Sequence, residues 1–137
     1  MAVAERSDRT GDLVARLRGA LPGLVAVYRF GSTHDGTAGP ESDIDIAVLA
    51  DAPLDVVDLW ELAQRLAAEV GRDVDLIDLR RASTVLRYQV LTAGERVWCV
   101  DPVACDRWET TMASMYLRFN EERAEILEAI RERGSVF

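Results

Sequence analysis

Leu24 to Phe30 is a run of seven residues, apolar except for Arg29, with a glycine at each end. β-Branched and aromatic side chains in so short a run predict a largely buried strand, which delivers the chain to Gly31-Ser32. Asp43 to Leu49 then alternates acids with aliphatic residues, the period-2 pattern of a strand with one polar face or edge. Asp73 to Leu79 repeats that alternation as a third strand. One buried strand and two acid-bearing strands require a sheet, and a sheet requires helices to cover its apolar side.

The segments between the strands supply those helices. Leu13, Val14, Leu17 and Leu21 recur at helical spacing from Asp12 to Ala20, and Pro22-Gly23 ends the helix. Pro53 to Val70 carries Leu54, Val57, Leu59, Leu62, Leu66 and Val70 at the same spacing, with Gly71 placed to cap it. Ser83 caps a further helix that ends at Gly94, and Arg96 to Val100 reads as a short strand. Asp101-Pro102 opens a long helix to about Arg133, an acid at the cap and proline in the first turn. Thr33 to Ser42 holds at most one helical turn. The expected fold is α+β, a small mixed β-sheet backed by helices on one face, with a long C-terminal helix. The whole chain, residues 1–137, is expected to be one domain, its first ten residues or so poorly ordered.

Composition removes several classes of function. A net charge of −8 argues against long nucleic acid as a partner, because binding to phosphate backbones is driven by Lys and Arg. No apolar run approaches the roughly 20 residues that span a bilayer, and Met1 to Asp12 has no signal-peptide core, so the expected location is the cytoplasm. Cys99 and Cys105 have no zinc-spaced companions and read as buried thiols. Lysine is absent, so no lysine can act as nucleophile or base.

The chemistry lies in the acids. Residues two apart on a strand point the same way, which sets Asp43 and Asp45 on one face, about 6.6 Å apart along the backbone. Carboxylates at that spacing suit a pair of Mg²⁺ ions, which take hard oxygen ligands and sit about 3.5 to 4 Å apart in two-metal sites. Asp73 and Asp75 on the third strand could each add another carboxylate, and Asp75 is favoured because it lies mid-strand. Acids at a solvated sheet edge, where charge deters strand pairing, are the plain structural alternative. Gly31 lets backbone approach a phosphate, and Ser32 offers a hydroxyl and an amide. A phosphatase-type Asp-x-Asp-x-Thr nucleophile is excluded, because position 47 is Ala.

Gly31-Ser32, ten intervening residues and then Asp43-Ile44-Asp45 form one pattern. It resembles the signature of the polymerase-beta-type nucleotidyltransferase superfamily, and more narrowly its minimal nucleotidyltransferase branch of MntA-type antitoxins. The resemblance runs from about Val25 through Leu79, and the Gly94-Glu95-Arg96 turn and terminal helix are also similar. It implies that Gly31 and Ser32 bind the nucleotide triphosphate, that Asp43 and Asp45 bind Mg²⁺, and that Asp75 completes the triad. It further implies ATP as donor and, as acceptor, a tyrosine on a cognate HEPN-domain toxin that AMP transfer would inactivate. Where the family often has an arginine soon after Gly-Ser, this chain has Thr33-His34-Asp35. His34, Arg29, Arg80 and Arg81 are the residues that could compensate, although each also suits a solvated loop.

Two rival functions follow from the same residues: an antitoxin that neutralises its partner by binding alone, and nucleotidyl transfer to a small hydroxylated acceptor. Trp108, Met112, Met115, Tyr116 and Phe119 form a stripe on the last helix. Such a stripe serves as core or as a partner surface.

Overall fold

The computed structural model describes residues 2–31 and 43–132. Helix α1 (Ala2–Ala20) leads into strand β1 (Leu24–Phe30), and strand β2 (Ile44–Ala50) follows. Helix α2 (Val56–Val70), strand β3 (Val74–Asp78), helix α3 (Thr84–Ala93), strand β4 (Glu95–Cys99) and helix α4 (Pro102–Glu132) complete the chain. The strands form one mixed sheet in the order β3-β2-β1-β4. β1 runs antiparallel to both β2 and β4, while β2 and β3 are parallel across the α2 connection. Segment Thr33 to Ser42 lies outside the described residues.

Helices cover both faces of the sheet, not the single face expected from the order of elements. Leu13 and Leu17 of α1, Leu21 just after it, and Leu59, Leu62 and Leu66 of α2 pack on one face against Val27, Ile44, Ile46, Val48 and Val74. Burying each such aliphatic side chain contributes about 2 kcal/mol. On the other face Val90 of α3 and Cys105 of α4 meet Ala26, Tyr28, Ala47, Leu49 and Leu79. The central strands are apolar on both sides because both sides are covered. A bulge between Leu24 and Ala26 lets Leu24 and Val27 share a face despite their odd separation.

Local chemistry sets the helix ends. Asp55 caps α2 by accepting from the Asp58 amide at 2.9 Å, and Gly71 closes it at φ 71°, in the left-handed region that glycine enters without strain. Ser83 caps α3 from the Leu86 amide at 3.1 Å. Helix α1 starts at Ala2, well before the expected start near Asp12. Helix α2 starts three residues later than the Pro53 expected from periodicity, because Asp55 is extended and caps the helix from the Asp58 amide.

The 31 residues of α4 span about 46 Å at 1.5 Å per residue. Trp108, Met112 and Tyr116 pack on the body, Tyr116 stacked on Tyr88 at 3.8 Å between ring centroids. Met115 and Phe119 are exposed, so the stripe divides between core and surface. Cys99 and Cys105 are free thiols, Cys105 fully buried and Cys99 half-buried. Among the described residues no helix is long and apolar enough to cross a membrane.

Candidate active site

Strand direction gathers the acids at one end of the sheet. β1 ends where β2 and β3 begin, so Phe30 and Gly31 arrive beside the first residues of β2, with those of β3 one strand farther on. Phe30 is the Cα partner of Asp45, and Asp45 in turn is the partner of Asp75. Partners across a ladder share a face, so Asp45 and Asp75 stand side by side, and Asp43, two residues before Asp45, lies on that side. This is the face that carries Ala47 and Leu49 farther along β2, packed under α3 and α4.

Gly31 is shaped by that neighbour. Its φ of +76° is left-handed, and a Cβ at this position would run into the Asp45 carboxylate, with Cγ only 3.1 Å away. Glycine therefore does two things here: it turns the chain and it leaves the carboxylate room. Gly94 instead leaves room for backbone. A Cβ there would lie 2.6 Å from the Arg29 carbonyl oxygen and 3.2 Å from Phe30 Cβ, so the α3–β4 turn is pressed against the end of β1.

Asp45 is half-buried, and its carboxyl is pushed above the ordinary range, first by burial and then by the negative charges of Asp75 and Asp43. Asp73 does not contribute to that shift; it precedes β3 and uses its carbonyl oxygen to accept from the Ile44 amide at 2.8 Å. Among the described residues, no three His, Cys, Asp or Glu side chains stand close enough together to chelate an ion as they are. Mutually repelling carboxylates in one neighbourhood are nonetheless the donor set that a hard divalent cation takes, since its charge removes the repulsion that keeps them apart.

Ser32, like Thr33-His34-Asp35, lies outside the described residues. The arginines proposed to compensate for the family's missing one stand elsewhere. Arg29 is the partner of Ile46, on the opposite face from Asp45, and donates to Thr10 of α1 at 3.0 Å. Arg80 and Arg81 follow β3 at its far end, where Arg80 donates to the Ala50 carbonyl and Arg81 to the Leu54 carbonyl. Asp75 and Arg80 are five residues apart, about 16 Å along an extended chain.

Two polar groups escaped the sequence reading. Asp78 is buried, accepting from the Leu54 amide at 2.9 Å and the Arg80 amide at 3.0 Å, and so it fastens the loop after β2. Its odd separation from Asp75 was the available signal, because it sends the side chain to the other face. Tyr28 donates to Glu109 at 3.0 Å, and Arg96 bridges Glu109 and Asp106 at 3.1 and 2.9 Å. Burial pushes the Tyr28 phenol well above its ordinary range, with the Glu109 charge adding to the effect, so it remains a neutral donor tying α4 to β1.

A mixed sheet that sets acids from two parallel strands beside a glycine turn is the framework of a nucleotidyl-transfer enzyme, and the chain belongs to the polymerase beta nucleotidyltransferase family, whose model matches residues 19–103. Within it the chain is 43% identical to the protein adenylyltransferase MntA of Shewanella oneidensis over 118 residues, 86% of this chain and 84% of the relative. A crystal structure of a toxin-antitoxin with AMP-PNP is similar at a TM-score of 0.80 and 41% identity, covering 91% of this chain and 98% of the other. A tri-AMPylated Shewanella oneidensis HEPN toxin in complex with its MNT antitoxin matches at a TM-score of 0.75 and 39% identity, over 90% and 96% of the two chains.

Proposed function

We propose that this chain is a Mg²⁺-dependent protein adenylyltransferase that moves AMP from ATP to a tyrosine hydroxyl of a cognate HEPN-domain toxin, acting in the cytoplasm as the antitoxin of the pair. The observation that carries the reading is the pairing of Asp45 with Asp75 beside Gly31, with Asp43 on the same side. Similarity to an adenylyltransferase, to a complex with AMP-PNP and to a complex with an AMPylated toxin supports the donor, the transferred group and the partner.

Asp43, Asp45 and Asp75 would hold a pair of Mg²⁺ ions. When bound, the metal lowers the pKa of an attacking hydroxyl and neutralises charge on the triphosphate. Gly31 and Ser32 would receive the phosphates through backbone amides and the serine hydroxyl. Asp75, at the outer side of the pair, would orient the tyrosine hydroxyl and take its proton. The phenolic oxygen bonds to the α-phosphorus as the bond to pyrophosphate breaks, and pyrophosphate leaves. Gly94, by pressing on the end of β1, keeps Gly31 registered against Asp45.

The test is to incubate the protein with ATP, Mg²⁺ and the cognate toxin and to weigh the toxin by intact mass spectrometry. A gain of one or more AMP units, lost in the Asp43→Asn, Asp45→Asn double variant, is expected. Neutralisation of the toxin by that double variant, with no mass gain in any sample, would establish an antitoxin that acts by binding alone.

A further inference from the structure

β3 is one of the two edge strands of the sheet, and among the described residues no strand pairs with its outward side. The Ile44 amide donates to the Asp73 carbonyl oxygen at 2.8 Å and the Leu79 amide to the Val48 carbonyl oxygen at 2.9 Å, so the odd-numbered residues of this segment turn their backbone groups inward to β2. In a parallel ladder alternate residues pair alternate ways, which leaves Val74 and Leu76 with N–H and C=O facing outward. No described strand lies beyond them.

Along this edge runs a groove of about 450 Å³, walled on α2 by Leu59, Trp60 and Ala63 and on β3 by Val74, Asp75 and Leu76. Trp60 is 63% exposed and Val56, near the mouth, equally so, a large apolar surface to leave in water. The groove thus joins an unpaired strand edge to an exposed tryptophan, and the Asp75 carboxylate, assigned above to the acceptor hydroxyl, stands on the opposite face of the same strand.

We propose that this edge is the acceptor-docking site, and that an extended segment of the toxin adds to β3 as a further strand. The inference rests on the adenylyltransferase reading and names how its acceptor is held. Main-chain bonds to Val74 and Leu76 would align the segment, and side-chain alternation would then sort its residues. A tyrosine opposite Asp75 shares the carboxylate face, so its hydroxyl is delivered to the site. The residues immediately before and after it point to the α2 side and fill the groove against Leu59 and Trp60. The acceptor sequence is therefore a tyrosine flanked by apolar residues. A net charge of −8 and the gathered carboxylates favour basic residues farther out.

Hydrogen exchange and kinetics test this with the complete protein and the cognate HEPN toxin. On addition of toxin, the Val74 and Leu76 amides should become protected. Trp60→Glu changes a largely exposed side chain and should leave ATP affinity unaltered, yet it should raise KM for the toxin about tenfold or more with kcat little changed, as expected for loss of a central aromatic anchor. Unchanged exchange at both amides while the toxin binds, together with a wild-type KM for Trp60→Glu, overturns the docking site even if AMP transfer proceeds. Protection of both amides by a toxin that is never adenylylated supports the docking site and overturns the enzymatic reading instead.

Discussion

Asp45 and Asp78 occupy adjacent strands of one sheet and live in opposite conditions. Asp45, at the end where β2 begins, has the charges of Asp75 and Asp43 for neighbours and sits under a glycine that clears space for it. Asp78, at the end where β3 stops, is more deeply buried, yet two backbone amides and Arg81, at 3.7 Å, face it. Burial of a carboxylate is thus accommodated at one end by closing its hydrogen bonds, while at the other the repulsion is left standing. An arrangement that disfavours its own charges without a cation is expected where a cation and a phosphate are to be received. The contrast separates an acid that holds the fold from the acids proposed to do chemistry.

The largest effect should come from breaking the open end. Asp45→Asn should cut AMP transfer about a thousandfold or more, since metal-assisted charge stabilisation supplies several kcal/mol. Thermal unfolding should show no loss of stability, because the substitution removes repulsion. A variant that unfolds more easily yet keeps its rate would reverse the roles of the two ends.

At the closed end, Asp78→Ala should cost about 3 kcal/mol in urea unfolding, because the Leu54 and Arg80 amides lose a charged acceptor. ATP affinity at temperatures where the variant stays folded should change little. Gly31→Ala should cost about 1 to 2 kcal/mol through its left-handed φ, and it should lower transfer further by displacing the Asp45 carboxylate. Retention of the full rate would show that the close approach of Gly31 to Asp45 is not needed.

Asp45 also predicts a pH dependence. The folded-state value of Asp45 is raised, so the folded chain binds that proton more tightly than the unfolded one does. Its stabilising contribution is complete below the ordinary carboxylate range and is lost as pH rises through the raised value. In unfolding series without divalent ions, from about pH 3 to pH 7, wild type should lose stability relative to Asp45→Asn, and added Mg²⁺ should restore it. A gap between the two proteins that stays constant across the series would mean that the charges of Asp75 and Asp43 are not felt.

The smallest effect belongs to Arg81→Ala. Arg81 is about half exposed and its contact with Asp78 is long, so unfolding should shift by less than about 1 kcal/mol. A larger loss would show that Asp78 is held by the ion pair more than by the amides.

Much of this molecule was legible along the chain. The glycine-bounded run of β1, the caps at Ser83 and Gly71 and the opening of α4 at Asp101-Pro102 depend on contacts within a few residues, and periodicity and turn chemistry describe such contacts well. The common face of Asp43 and Asp45 was legible for the same reason, as an arithmetic property of any strand. The covering of both faces of the sheet was not, nor were the pairing of Asp45 with Asp75, the diversion of Arg29 to Thr10 and the network from Tyr28 to Asp106. These join residues from 10 to 81 positions apart, or depend on which strands become neighbours. Asp75 and Asp78 show the division most simply. By sequence they are two acids of one strand, separated by three positions; strand order set Asp75 against Asp45, and the loop after β2 closed over Asp78. The sequence by itself determined which residues could carry charge on a given face, because that follows from local backbone period. Only the tertiary structure decided which charges meet, because register and burial depend on how distant apolar surfaces pack together.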